Sequence, residues 1–252
     1  MNIETGFANF CREKQDIKTA QSRQAIVSCI DLTLLDEKAT EQQIRELQFK
    51  ANQYKVAALC IYPQHLAFLA PQNICKRATV LNFPSGDLPA ALVMSQLEDT
   101  LSTYPVDEID YVFPYSLYLK EYKQQALERC RQALSLCQHR NVLFKVIVET
   151  GQFTESDSLY TLARELIDLG CDFLKTSTGK IAIGATPLSA YTLLKAIQDS
   201  GASVGFKASG GVRKTEDAFL YAEMATLLLK KEIAPSWFRI GASSLLDELV
   251  TA

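Results

Sequence analysis

Histidine is almost missing from this chain. His65 and His139 are the only two in 252 residues, and they stand far apart. With no HxH or HExxH spacing, the sequence offers neither a histidine-built zinc site nor the commonest general base. Each falls in a helix-like segment, where packing or a surface position accounts for it. Charge of one sign is also scarce: a net −3 gives no electrostatic attraction for nucleic acid or an anionic membrane surface. No apolar run approaches ~20 residues, so no membrane-spanning helix is expected. The start, MNIETGFANFCREK, lacks the basic-then-apolar pattern of an export signal. The seven cysteines are odd in number and show no CxxC spacing, and Cys29, Cys60 and Cys171 sit in or beside apolar runs. Small buried thiols in a reducing, cytoplasmic compartment are therefore expected. No Pro/Gly/Ser linker divides the chain, which reads as one domain over 1–252.

What is present is alternation. Apolar runs at 25–31, 56–62, 77–83, 108–113, 143–150, 172–178, 203–209 and 237–243 are separated by segments of helical period. Several runs are continuously apolar, as in parallel strands covered on both faces. Between them, Ile44, Leu47, Ala51 and Tyr54 form one helical stripe, and Ala90, Val93, Met94, Leu97 and Leu101 another. Thr40 with Gln43 fits a capping box, and Thr186-Pro187 puts proline at a first helical position. Eight such strands and about eight helices predict an α/β fold, a (β/α)8 TIM barrel, with residues 1–24 as a leading helix or cap. A doubly wound open sheet is the alternative, but IDLTLLDEK after the first run contains no glycine for a phosphate-binding turn.

Two late strands carry lysines, Lys175 in DFLKTST and Lys207 in SVGFKAS. An uncompensated buried charge costs several kcal/mol, so such an ammonium group is either paired or kept neutral as an amine. Side chains alternate along a strand, and parity places Asp110, Lys145, Lys175 and Lys207 of four consecutive strands on faces that can converge inside a barrel. The alternative reading is that they only fill the interior as ion pairs. Three lysines, however, outnumber the carboxylates that can be set beside them. Clustered cations lower an amine's pKa toward the range that Schiff-base chemistry requires.

Anion-binding signals follow in consecutive units. Gly210, Gly211 and Arg213 lie after the seventh strand, GASS (241–244) leads into the last helix, and Thr178-Gly179-Lys180 follows the sixth strand. Barrels often bind phosphate with loops of this kind. A phosphorylated small molecule is the expected ligand.

The runs DEIDYVFPY, LFKVIVETG, DFLKTSTGK, VGFKASGGVR and RIGASSLL closely resemble the 2-deoxyribose-5-phosphate aldolases, from about Cys29 to the final helix. The resemblance implies a class I aldolase that cleaves 2-deoxyribose 5-phosphate reversibly to acetaldehyde and glyceraldehyde 3-phosphate, without metal or cofactor. It makes Lys175 the Schiff-base lysine, Lys207 its close second lysine and Asp110 the aspartate of the proton relay. Asp31, Cys60 and Lys145 match residues lining the substrate site, to which Thr178 is also assigned. Gly179, Lys180, Gly210, Gly211, Arg213, Gly241, Ser243 and Ser244 form the phosphate cup. The chain has alanine at 208, where some members have proline, and ends Thr251-Ala252 without the tyrosine-ended tail of some members. A homodimer is left open. Another Schiff-base phosphosugar aldolase or a transaldolase-like barrel would use the same lysine, and a phosphosugar-binding protein would need only the cup.

Overall fold

Seven of the eight apolar runs become strands near where the sequence puts them, and the first does not. The computed structural model of the chain describes residues 2–14, 21–71 and 74–251. The parallel strands are β1 (Ile30–Leu34), β2 (Ala58–Ile61), β3 (Lys76–Leu81), β4 (Glu108–Val112), β5 (Leu143–Ile147), β6 (Phe173–Lys175), β7 (Gly205–Ser209) and β8 (Phe238–Ala242). They close in sequence order, with β8 paired to β1 through Ile240 beside Ile30 and Gly241 beside Asp31. A closed barrel excludes the open-sheet alternative.

The first run, 25–31, divides. Its front half forms α2 (Arg23–Ser28), capped by the Ser22 hydroxyl, which accepts from the Ala25 N–H. Only Ile30 onward is strand, so Asp31 stands near the entry of β1 rather than at its exit. Short β-branched runs fit either state, and the cap at Ser22 favours the helix.

The remaining helices on the barrel are α3 (Glu41–Tyr54), α4 (Ala90–Thr103), α5 (Tyr115–Leu119), α6 (Lys123–His139), α7 (Ser156–Leu169), α8 (Pro187–Ser200), α9 (Thr215–Leu229) and α10 (Leu245–Thr251). Their ends follow the sequence signals. Thr40 and Gln43 make a reciprocal capping box at α3, and Thr186 with Ser189 makes another at α8, where Pro187 opens the helix. Gly170 and Gly201, at φ 92° and 67°, terminate α7 and α8 in the left-handed region that favours glycine.

The leading segment contributes α1 (Ile3–Lys14), while residues 15–20 lie outside the described ones. Helix α1 lies on α7 and α8, with Phe7 and Phe10 packed on the Tyr191 ring at 5.4 and 5.5 Å between centroids. Gly6 permits this approach, since a Cβ there would sit 2.8 Å from the Tyr191 hydroxyl oxygen. The cover explains why α8 buries Ala190, Tyr191, Thr192, Leu193 and Leu194 in succession rather than on a single stripe.

Outward-facing strand residues such as Leu59, Tyr111, Phe144, Leu174, Phe206 and Ile240 join the core under the helices. Each large apolar side chain fully buried there contributes roughly 1.5–3 kcal/mol. Inward-facing residues divide the barrel in two. On β2 and β3 they are Ala58, Cys60, Ala78 and Val80, bordered by Leu35, Tyr62 and Phe83. On β1 and β4 to β8 every strand contributes at least one charged residue to the interior: Asp31, Glu108 with Asp110, Lys145, Lys175, Lys207 and Arg239.

Candidate active site

The register sets the charged half. Asp110 stands beside Lys145, Lys175 beside Lys207, and Lys207 beside Arg239, each pair on adjacent strands. Asp31, Glu108, Asp110, Lys145, Lys175, Lys207 and Arg239 are all buried. Gly205 and Gly241 make room for them. A Cβ at Gly205 would lie 2.4 Å from the Phe173 ring, and one at Gly241 would lie 3.1 Å from Cε of Lys207.

The connections are specific. Lys175 and Lys207 each donate to Oδ2 of Asp110 at 2.7 Å, and Lys145 donates to its Oδ1 at 2.9 Å. Lys207 also donates to Oδ2 of Asp31, and Lys145 to Oε2 of Glu108 at 2.5 Å. Below them the Arg239 guanidinium bridges Oδ1 of Asp31 at 2.6 Å and Oε1 of Glu108 at 2.8 Å. Sequence parity brings Asp110 and the three lysines together as expected. It missed Arg239 and gave Glu108 no part, although an arginine in the apolar run FRIGA is the same kind of signal as a lysine in FLK.

These contacts separate the lysines electrostatically. Burial disfavours the ammonium form of Lys175; the Asp110 carboxylate opposes this and the Lys207 charge reinforces it, so its pKa is lowered. Lys207 feels the same burial, but Asp110 and Asp31 outweigh it and hold it protonated. Lys145 is likewise raised, by Asp110, Glu108 and Asp31 against burial. Burial alone would raise Asp110, and three lysines instead hold it well below the carboxylate range. Cys60 is pushed up to about 11, chiefly by burial and then by Asp110, which makes it a neutral wall residue.

Above Lys175 a cavity of about 300 Å³ opens, lined by Thr33, Leu35, Lys175, Thr178 and the loops after β6, β7 and β8. Gly179, Lys180, Gly210, Gly211, Arg213, Gly241 and Ser243 all line it. Ser244 lies beyond that lining, at the head of α10. Gly179, Gly210 and Gly211 have φ of 75°, 84° and 85°, a region costly for side-chain-bearing residues. Gly184 packs so close to the Gly210 carbonyl that a Cβ would sit 2.1 Å from its oxygen. Lys180 donates to the Leu35 carbonyl at 2.7 Å, tying the β6 loop to the β1 loop across the mouth. Asp31, Cys60, Lys145, Asp110 and Lys207 lie beneath this lining, not in it.

Thr178 is held from below. Its hydroxyl donates to Oε2 of Glu149 at 2.5 Å, and its N–H donates to the same carboxyl group. Glu149 reaches it from a left-handed position, φ 57°, just past β5. Strand alternation put Glu149 on the Lys145 face, and the turn that redirects it has no glycine to announce it. Burial raises the Glu149 pKa, against the bonds from Thr178 and the charge of Lys175. Asn82, at the end of β3, donates to the Val112 carbonyl and accepts from the Leu88 N–H, which makes it a loop brace.

A buried amine with a weakened ammonium form, facing a cavity rimmed by N–H donors and cations, can add to the carbonyl of an anionic small molecule. Known proteins agree with this chemistry. A family model described as DeoC/LacD family aldolase matches residues 25–247. A deoxyribose-phosphate aldolase of Agrobacterium fabrum is 38% identical over 231 residues, covering 89% of this chain and 88% of its own. The tetrameric deoxyribose phosphate aldolase of Aeropyrum pernix superposes with a TM-score of 0.77 at 26% identity, over 90% of this chain and 91% of its own. A Coccidioides immitis structure, at 23% identity, gives a TM-score of 0.79 over 99% of this chain and 97% of its own, and speaks to the fold alone.

Proposed function

The chain belongs to the DeoC/LacD family of aldolases, and from that membership we propose the reversible cleavage of 2-deoxy-D-ribose 5-phosphate to D-glyceraldehyde 3-phosphate and acetaldehyde. Lys175 is the proposed nucleophile. As a neutral amine it adds to the aldehyde carbon of the open-chain sugar, and loss of water leaves a protonated imine. A base takes the proton of the C3 hydroxyl, the C2–C3 bond breaks, and its electron pair moves through C2 to the imine nitrogen. Glyceraldehyde 3-phosphate departs and an enamine remains. An acid protonates its C2, and water releases acetaldehyde from the imine. Asp110, hydrogen-bonded to both lysines, is proposed to carry these protons with Lys207 or an ordered water.

The phosphate is assigned to Gly179, Lys180, Gly210, Gly211, Arg213, Gly241 and Ser243, whose grip positions the reacting end. Asp31, Cys60 and Lys145 support the site from below, and Thr178 braces its wall. Buried thiols at Cys29, Cys60, Cys130, Cys137 and Cys171, none of them in a disulfide, support a reducing, cytoplasmic setting. The tetrameric relative supports self-association, for which a homodimer is the minimal form.

The observation that carries the reading is that Lys175, among the four buried cations of the barrel, is the one lining the cavity and the one whose charge is disfavoured. Borohydride added during turnover should leave a reduced adduct on Lys175, located by peptide mass. An adduct confined to Lys207 or to surface lysines overturns the assignment. Turnover with a dihydroxyacetone donor in place of acetaldehyde would point to a different Schiff-base aldolase.

A further inference from the structure

Arg239 is 4% exposed and touches three side chains, none of them in the cavity: Asp31, Glu108 and, at 5.6 Å from its ring, Phe173. Its Nε also donates to the Pro235 carbonyl, which fixes the side chain at both ends. The interior cluster holds four cations, Lys145, Lys175, Lys207 and Arg239, against three carboxylates, Asp31, Glu108 and Asp110. Remove Arg239 from that set and each lysine has a carboxylate of its own: Glu108 for Lys145, Asp31 for Lys207, Asp110 for Lys175. With Arg239 present, Asp31 and Glu108 are each shared with the guanidinium. Lys145 and Lys207 then both draw on Asp110 as well, and Lys175 is left with a third share of one carboxylate.

We propose that Arg239 is a positioning residue for the lysine chemistry: by engaging Asp31 and Glu108 at the barrel floor, it turns Lys145 and Lys207 toward Asp110 and leaves Lys175 short of counter-charge. An arginine suits this task because a guanidinium does not lose its proton in the working range, and two carboxylates here hold it more firmly charged against burial. Arg239 therefore stays charged as the pH changes, and Lys175, the amine of the cluster that lines the cavity, is the member that can shed the extra proton. The inference rests on Lys175 acting as the amine nucleophile.

The groups facing Lys175 are few. Asp110 comes from β4, Lys207 from β7, the neutral Cys60 from β2 and Glu149 from just past β5, while Asp31, Glu108, Lys145 and Arg239 stand one contact further back, bonded to Asp110, Lys207 or one another. Strand β3 presents only Ala78 and Val80 to the interior. Any change in the titration of Lys175 must come through this set or from the rim residues Lys180, Arg213 and Asp36.

The test is log(kcat/KM) for 2-deoxyribose 5-phosphate against pH, run beside the pH dependence of acetaldehyde trapping by cyanoborohydride at Lys175, which reads the amine without full turnover. Arg239→Met should move the ascending limb of both curves to alkaline pH by about one unit, read as about tenfold lower activity on the acid side. Arg239→Lys keeps the charge and should leave the limb near wild type. Glu108→Gln removes a carboxylate and should move it to acid pH. The double variant Arg239→Met/Glu108→Gln restores the excess of one and should return it toward wild type. Should Arg239→Met fail to fold, Glu108→Gln and the double variant decide. Limbs that superimpose on wild type in the folded variants overturn the role of Arg239, as does an Arg239→Lys limb displaced as far as that of Arg239→Met. A wild-type enzyme that neither turns over nor traps at Lys175 fails earlier, at the assignment of the nucleophile.

Discussion

Oδ2 of Asp110 accepts from two ammonium groups at once, so the Lys175 and Lys207 nitrogens are only two hydrogen bonds apart. Like charges about 5 Å apart at an effective dielectric of ~20 repel by roughly 3 kcal/mol. The sign of the effect follows: a neighbouring cation disfavours protonated Lys175 and enlarges its neutral fraction at pH 7, in the same direction as burial. Lys207→Leu removes the repulsion and also frees Asp110 for Lys175. Both raise the Lys175 pKa, so the ascending limb of the pH–rate profile should move to alkaline pH and activity at pH 7 should fall about 10- to 100-fold. A loss of equal size at every pH, with the limb unmoved, would instead make Lys207 a proton carrier or a positioning group. The lysine pair was legible in the sequence because ammonium groups are rare in apolar runs. The dominance of burial over repulsion was not, because parity gives a direction and no depth.

Strand alternation explains most of what could be read in advance and also where reading failed. It put Asp110, Lys145, Lys175 and Lys207 on converging faces because β4 to β7 run straight through those positions. It failed at Glu149, where the backbone turns left-handed, and at 25–31, where a capped helical turn takes half of an apolar run. Arg239 obeys the alternation, but nothing in FRIGA shows that its partners, Asp31 and Glu108, come from β1 and β4. The glycines within strands carry the same lesson. Gly205→Ala would thrust a methyl group to within 2.6 Å of three Phe173 ring carbons, and overpacking of this kind costs about 1–3 kcal/mol. A urea titration should show a lowered midpoint with an unchanged slope. A midpoint equal to wild type would mean that the Phe173 ring turns aside freely.

Across the whole molecule, the described residues contain no group of three or more histidines, cysteines or acids placed to hold a metal ion. The Asp31, Glu108 and Asp110 carboxylates are instead paired with the firmly charged Lys145, Lys207 and Arg239. With a lysine as the electron sink, turnover of 2-deoxyribose 5-phosphate should survive exhaustive dialysis against EDTA. Activity lost there and restored by zinc would require a Lewis acid that the site as described does not accommodate. The division of the barrel interior has a consequence for how such a chain can drift. On the charged side no single substitution is silent, because each carboxylate is shared by two or more cations, and replacements there must come in compensating sets. On the β2–β3 side, Ala58, Cys60, Ala78 and Val80 meet Leu35, Tyr62 and Phe83 through shape alone. One methyl group gained or lost at Ala58, Ala78 or Val80 alters the packing beneath the chamber without adding or removing a charge. Lineages of this barrel can therefore drift one small step at a time on one wall, while the opposite wall changes only as a block.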